Sequence, residues 1–193
     1  PRIQIIMLDT RYFRDALRQA PDSRPGKRHY LPHDDAKRTL LGSAQWQWLE
    51  KELSQPADIR IVVSSIQVLP VDHQGERWET FPHERTRLFQ LLHAARSRAL
   101  VLLSGDRHYG EISRLSGARE LYEITSSSLT SPWHEGSLSP NRFRLPGTRT
   151  HAVPNFGLLL INWTQGFVRA ELRGPSGAIL ESVGIPFGAG YWP

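Results

Sequence analysis

A short polar segment after an apolar run contains the residue types that metal chemistry needs. Asp106 and His108 follow the run from Leu100 to Leu103, with one residue between them. Carboxylate oxygen and imidazole nitrogen are ligands that hard and borderline metals accept. Side chains two positions apart on an extended backbone point to the same side, so both can reach one ion. The tripeptide is equally typical of a hydrogen-bonded loop, and two donors leave a site incomplete, because a metal centre takes about four or more.

Polar side chains also follow two other apolar runs. Asp9 and Arg11 come after the first, and Ser64, Ser65 and Gln67 come within or after the second. Ligands of open α/β sheets bind at the carboxyl ends of the strands, so these groups are expected to meet Asp106 at one sheet edge. Arg11 can bind a phosphate with its forked guanidinium or pair with Asp9 or another carboxylate. For Asp9, the role of orienting Arg11 is favoured over that of a metal ligand.

These polar groups need a sheet to position them, and the hydrophobic pattern predicts one. Buried strands are predicted over residues 2–8, 59–69 and 99–103, and amphipathic helices over 42–55 and 83–95. Alternation of strands and helices is typical of an α/β layer with right-handed crossovers.

The second part of the chain has a different pattern. Residues 156–163, 166–174 and 178–186 read as consecutive strands separated by short turns, and the middle one alternates between polar and apolar residues. This predicts antiparallel strands at the C-terminal end of a mixed sheet. Residues 21–39 and 131–155 read as irregular loops, from which, as from the other loops, a histidine such as His73, His134 or His151 could reach a site.

Composition excludes several classes of site. The chain has no cysteine, which rules out disulfides, zinc–thiolate centres and cysteine nucleophiles. Its net charge is 24 − 19 = +5, and the excess is spread along the sequence. Nucleic-acid binding is disfavoured because such domains carry a denser basic stripe with interleaved aromatic residues. Its apolar runs are far shorter than the roughly 20 residues of a membrane-spanning helix.

Five phrases, in this order and spacing, resemble the alkaline phosphatase D (PhoD-like) family of metallophosphoesterases. They are "MLDTRYFR" (7–14), "LLGSAQWQWLEKEL" (40–53), "SSIQVLP" (64–70), "WETFPHERTRLF" (78–89) and "LLSGDRHYGEIS" (102–113). The resemblance implies a metal-dependent hydrolase of phosphomonoesters or phosphodiesters, built as an α/β/β/α sandwich. It also implies two or more divalent or trivalent metal ions, without distinguishing Fe, Zn, Ca, Mn or Mg.

The resemblance assigns roles to individual residues. The "GD-x-H" phrase of such enzymes supplies metal ligands, which corresponds to Asp106 and His108. His108 is alternatively a proton donor to the leaving group. The "DTR" phrase lies at the rim of the site, so Arg11 is expected to contact phosphate, with Asp9 and Gln67 as further substrate contacts.

One departure from the family bears on the whole interpretation. Its carboxylate- and histidine-rich "D-D-H-D" motif precedes "LDTR", and this sequence contains no match to it. We therefore expect residues 1–193 to be a single domain that forms the C-terminal portion of a PhoD-like catalytic domain. Its expected partner is the missing N-terminal half or a second chain, and by itself it is expected to hold an incomplete site. A non-catalytic binding module derived from the fold is the alternative. The resemblance slightly favours a periplasmic or secreted location.

Overall fold

The computed structural model describes residues 1–25, 28–132 and 138–188. Within these ranges, no helix is both long and apolar enough to span a membrane. The elements in chain order are β1 (Ile3–Met7), β2 (Arg18–Gln19), β3 (Tyr30–Leu31), α1 (Gly42–Ser54), β4 (Ile59–Val63), a 3₁₀ helix (Trp78–Thr80), α2 (Pro82–Ala94), β5 (Ala99–Ser104), β6 (Gly110–Leu115), β7 (Leu121–Ser126), β8 (Phe156–Asn162), β9 (Phe167–Arg173) and β10 (Ile179–Pro186).

The main sheet has the strand order β1-β4-β5-β7-β6. Its first four strands are parallel and β6 is antiparallel to β7. A second, antiparallel sheet has the order β10-β9-β8, and β2 pairs with β3 in a separate two-stranded ribbon. The predicted α/β class, mixed sheet and C-terminal antiparallel strands are confirmed.

Two hydrophobic cores lie on opposite faces of the main sheet. Leu100 and Leu102 of β5 pack in the same cluster as Trp46 of α1 and Leu88 of α2. Val101, between the two leucines, packs with the second sheet through a cluster that includes Val168, Ala170 and Leu172 of β9. Successive side chains of a strand point to opposite faces. The molecule therefore has a helix layer, the main sheet and the second sheet, which are three layers of the expected sandwich.

One part of the main sheet is covered on a single face. Ile6 of β1 is buried under the helices, but Ile3, Ile5 and Met7 on the other face are 43%, 62% and 71% exposed. β1 is also an edge strand, paired only with β4 among the described residues. Parallel sheets are normally buried on both faces. The exposure of these side chains shows that the second sheet stops short of β1. Ile3, Ile5 and Met7 thus form an uncovered apolar strip on this strand.

Two strands of the main sheet, β4 and β6, differ from the sequence-based expectation. The strand expected over 59–69 ends at Val63, and the backbone N–H groups of Val68 and Leu69 instead donate to the Glu123 carboxylate at 2.9 and 2.6 Å. Strand β6 was missed because its side chains at Glu111 and Ser113 are polar and yet wholly buried. The apolar pattern that marks a buried strand is absent there.

Another buried carboxylate joins the two helices. Glu84, in the first turn of α2, accepts hydrogen bonds from the backbone N–H groups of Leu40 and Leu41 at 2.6 and 3.0 Å. It also accepts the Thr39 hydroxyl at 2.8 Å and the Trp46 indole N–H at 2.7 Å. One side chain thus accepts hydrogen bonds from the backbone of the segment that leads into α1 and from the buried tryptophan of that helix.

Replacement of Glu84 tests this role. We expect Glu84→Ala to lower the free energy of unfolding by about 4 kcal/mol, because it leaves several buried donors without an acceptor. The matched control is Glu50→Ala, which removes an exposed glutamate of α1 that pairs with Arg87. That change should cost less than about 1 kcal/mol. Denaturant unfolding measures both, and equal losses would contradict the assigned role.

Glu123 gives the fold a dependence on pH. Burial raises the pKa of its carboxyl to about 7, against the opposing effect of the Ser104, Leu69 and Val68 hydrogen bonds. A carboxyl whose pKa is raised on folding binds more protons in the folded state between its unfolded value and about 7. Its contribution to stability is therefore complete below the unfolded pKa and is lost as the pH rises through about 7.

This contribution is measurable with an isosteric variant. The free energy of unfolding of the parent protein should fall between pH 5 and pH 8 relative to that of Glu123→Gln, which cannot titrate. Denaturant unfolding of both proteins at both pH values gives the difference, in which other titrating groups cancel. A parent protein that gains stability over this interval relative to the variant would contradict the raised pKa.

Candidate functional site

The carboxyl ends of four strands meet at one edge of the main sheet. The hydroxyls of Thr10, after β1, and Ser65, after β4, share a hydrogen bond. Gly105, after β5, lies against Ser65, since a Cβ placed there would be 3.7 Å from the Ser65 carbonyl oxygen. The backbone N–H of His108 donates to the Ser127 hydroxyl, after β7, at 3.2 Å. The expected meeting of polar strand ends at one edge is therefore found.

Arg11 and Asp106 come together at this edge, although 95 residues separate them in sequence. One guanidinium nitrogen of Arg11 lies 3.4 Å from Asp106 Oδ1, and the other donates to the Glu76 carboxylate. Arg14 donates to the same Glu76 oxygen at 2.5 Å. Arg11 remains 45% exposed, whereas Glu76 is only 14% exposed. The result is an open guanidinium held between two carboxylates.

Asp9 acts on Arg11 through the backbone. Its Oδ1 accepts the N–H groups of Arg11 at 2.7 Å and Tyr12 at 3.0 Å, closing a turn after β1. The N–H groups of Tyr12 and Arg11 lower the pKa of the Asp9 carboxyl, because they stabilise its charged form. Asp9 is thus placed to orient the chain at Arg11, while the guanidinium pairs with Glu76 and Asp106.

The candidate metal ligands lie in a tight turn after β5. Asp106 has a φ of 70° and His108 a φ of 57°, in the left-handed region that non-glycine residues seldom occupy. The Asp106 side chain is 35% exposed. Partial burial and the charge of Glu76 raise the pKa of its carboxyl, and the nearby Arg11, Arg107 and His108 act in the opposite direction.

Gln67 lies elsewhere. Its side chain is fully buried, and its amide nitrogen donates to Glu111 at 2.9 Å and to the Thr125 hydroxyl at 2.8 Å. The Gln67 side chain is therefore not exposed at the edge where Arg11 lies, and its predicted substrate contact stays a prediction. It belongs to a polar network inside the sheet, in which Thr125 also bonds to Ser104 at the end of β5.

The three loop histidines have different surroundings. His73 is 3% exposed, and burial, together with the charges of the nearby Arg107 and Arg77, lowers its pKa to about 2. His151 bonds to Glu181 at 2.8 Å. His134 lies outside the described residues.

Sequence reasoning missed Glu76. It belongs to the loop between Pro70 and Trp78, where no hydrophobic periodicity fixes the position of a side chain. The available signal was compositional, because "DHQGER" over residues 72–77 concentrates four titratable side chains in six residues. The loop places this carboxylate between Arg11 and Arg14.

The donor types at Asp106 and His108 suit a metal ion, but their number is too small. Across residues 1–25, 28–132 and 138–188, no three side chains of His, Cys, Asp or Glu are grouped so that they could hold one. A site of about four or more ligands would need further donors in addition to these two.

The family model of the PhoD-like phosphatases matches residues 1–173. The chain belongs to this family. No curated protein matches it at the level of sequence. The expected PhoD-like resemblance, which was drawn from five short phrases, is thereby confirmed.

Among solved structures, the chain is similar to one described as the structure of PhoD, with a TM-score of 0.73 and 21% identity. That match covers 96% of this chain and 40% of the other, so residues 1–193 span well under half of the PhoD chain. A dimetal phosphatase from Danio rerio matches with a TM-score of 0.46 and 14% identity, over 78% of this chain and 40% of that one. The PhoD likeness establishes the fold of this PhoD-like chain.

The electrostatics of the edge can be tested in the metal-free protein. We expect Glu76→Gln to lower the pKa of Asp106, because the change removes a neighbouring negative charge that raises it. A titration followed by carboxyl ¹³C NMR measures this pKa. The control is Glu79→Gln, which removes a carboxylate of the 3₁₀ helix that pairs with Arg77. An unchanged or higher Asp106 pKa in Glu76→Gln would contradict the arrangement.

Proposed function

We propose that this protein acts as a metal-dependent phosphoric ester hydrolase, with phosphomonoesters or phosphodiesters as substrates. The observation that carries the proposal is the position of the Arg11 guanidinium 3.4 Å from Asp106. A group suited to phosphate thus lies beside a carboxylate suited to a metal, at the sheet edge where ligands of α/β folds bind. Membership of the PhoD-like phosphatase family supports the same reaction.

Asp106 and His108 are the residues proposed to hold metal. Two or more ions are expected, and oxygen and nitrogen donors of this kind fit Fe, Zn, Mn, Mg or Ca to different degrees. When bound, such ions lower the pKa of a water molecule and offset negative charge on a phosphoryl group. The remaining ligands are proposed to come from a part of the PhoD-like fold that residues 1–193 do not supply.

The other residues have roles that follow from their positions. Arg11 is exposed, and a phosphate would compete with Glu76 and Asp106 for its two terminal nitrogens. Bound to the phosphate in this way, the Arg11 guanidinium would stabilise negative charge on the phosphoryl oxygens as the ester bond breaks. Asp9 keeps Arg11 at the edge through two backbone hydrogen bonds. His108, if it is not a ligand, is proposed to give a proton to the leaving oxygen. Gln67 stays a weaker candidate for substrate contact.

A partner for the uncovered strip of β1 is part of the proposal. Ile5 and Met7 are more than 60% exposed on a strand that has one unpaired edge in the described chain. The chain covers 40% of the PhoD structure that it matches. We propose that residues 1–193 are the C-terminal portion of a PhoD-like catalytic domain and that the rest of that domain, or a second chain, packs on the strip. A periplasmic or secreted location belongs to the same proposal and is supported by the family alone.

A non-catalytic binding module is the competing function. Metal analysis and hydrolysis of a chromogenic phosphodiester, measured for residues 1–193 and for the longest natural protein that contains them, separate the two. Metal and turnover in the longer protein favour the hydrolase, whether or not the shorter chain has them. Their absence from both favours the module. Nucleic-acid binding would require an affinity that falls steeply with salt, and a flat salt dependence dismisses it.

The hydrolase predicts the behaviour of two variants of the natural full-length protein. Asp106→Asn and His108→Ala should each lower turnover of bis(p-nitrophenyl) phosphate by about 100-fold or more, because each removes a proposed metal donor. Thermal unfolding should stay close to that of the parent protein. The controls are Asp34→Asn and His93→Ala, which change exposed residues away from this edge. Near-normal turnover in both site variants would exclude the assigned roles.

A further inference from the structure

The turn that carries the proposed ligands is strained at two positions. Asp106 and His108 are the non-glycine residues with positive φ in the described parts of the chain, and they flank Arg107. Such conformations persist only where the surroundings fix them. The hydrogen bond from the His108 N–H to Ser127 fixes one side of the turn. We therefore ask which contacts hold Arg107, the residue between the two proposed ligands, in place.

Arg107 is anchored by Tyr109, the residue directly before β6. Its Nε donates to the hydroxyl of Tyr109 at 3.1 Å, and its guanidinium carbon lies 5.3 Å from the centre of the Tyr109 ring. Tyr109 is 2% exposed and therefore offers a rigid surface. A weaker contact, at 3.4 Å, joins Arg107 to the Ser139 hydroxyl. The guanidinium is thus half-buried and packs on Tyr109 and Ser139.

The loop at residues 72–77 also approaches this guanidinium. A Cβ at Gly75 would lie 2.6 Å from Arg107 Nη1 and 3.4 Å from His73 Nδ1. Any side chain at position 75 would therefore displace Arg107. His73 is buried beside it, with neither ring nitrogen hydrogen-bonded within the described residues. A neutral imidazole at this point avoids a further positive charge next to Arg107 and Arg77.

The same loop also contacts the anion-binding side of the edge. Glu76, which directly follows Gly75, holds Arg11 and Arg14. Two consecutive loop residues thus set the positions of Arg107 and Arg11. A shift of this loop would move both the residue between the ligands and the guanidinium beside them.

We propose that Arg107 is a positioning residue whose guanidinium, held between Tyr109 and Gly75, fixes the left-handed turn that presents Asp106 and His108. The metal-binding consequence rests on the proposed function, whereas the geometry of the turn does not. Arg107 itself touches neither metal nor substrate in this proposal. Gly75 has no side chain and so leaves the space that the guanidinium fills.

A double-mutant cycle for metal affinity tests the proposal in the natural full-length protein, with Mn²⁺ as the probe. Gly75→Ala and Arg107→Ala should each weaken Mn²⁺ binding about 10- to 100-fold, as loss of an outer-shell support typically does. Because both act through one guanidinium, Gly75→Ala should weaken binding by less than about 3-fold when Arg107 is already alanine. The proposal would be overturned if the loss of Mn²⁺ affinity in the double variant equalled the product of the losses in the two single variants.

Two further variants accompany the double-mutant cycle. Gly184→Ala is the matched control, because a Cβ there meets nothing within 4 Å, and it should leave Mn²⁺ binding unchanged. Tyr109→Phe removes the hydroxyl acceptor alone and should weaken binding less than Arg107→Ala does. If Gly75→Ala does not fold, the Mn²⁺ affinity of Arg107→Ala still tests the proposal, because that substitution introduces no clash. Parent-like Mn²⁺ affinity in folded Arg107→Ala would overturn the proposal.

A second measurement needs no metal. The three-bond HN–Hα couplings of Asp106 and His108 in the metal-free protein report their φ angles. Both should change in Gly75→Ala and in Arg107→Ala and stay constant in Gly184→Ala. If the parent protein binds no Mn²⁺ but these couplings respond as expected, the proposed function fails and the positioning role stands. Unchanged couplings in both variants would overturn the positioning role.

Discussion

The requirement that a parallel sheet be covered on both faces governs this structure. Two helices cover one face, and the antiparallel sheet β8–β10 covers most of the other. The strands can then end together at one edge, where Arg11 and Asp106 meet. The requirement is unmet only along β1 in the described structure, where Ile5 and Met7 face outward. The same constraint thus accounts for both the location of the candidate site and the place where the fold is open.

Loops near the site are held by polar side chains of β7 and of the residue after it, Glu123 being buried and Ser127 half-buried. Glu123 binds the backbone of residues 68 and 69, and Ser127 binds the backbone of His108. A buried carboxylate is costly unless several donors satisfy it, so each such group fixes its loop in one conformation. The loops around the site are therefore held by Glu123 and Ser127 as well as by the contacts of Arg11 with Glu76 and Asp106.

Much of this arrangement could be predicted from sequence, for reasons that differ by residue. The helices and strands β1, β5 and β9 have clear hydrophobic periods, and the carboxyl ends of parallel strands must share an edge, which brings Arg11 and Asp106 together. Strand β6 could not be predicted, because Glu111 is polar and buried. Glu76 and Gln67 could not be placed either, since loop side chains are positioned by tertiary contacts that leave no periodic trace.

The Glu84 carboxylate has a consequence for folding kinetics. Its four hydrogen bonds join residues 38 to 45 positions apart in sequence. The chain must close a loop of that length, with its entropic cost, before any of these bonds can form. The backbone N–H groups of Leu40 and Leu41 and the indole N–H of Trp46 cannot donate to this carboxylate until the first turn of α2 has formed. The two helices should therefore dock in one cooperative event, and the helix layer should form as a unit.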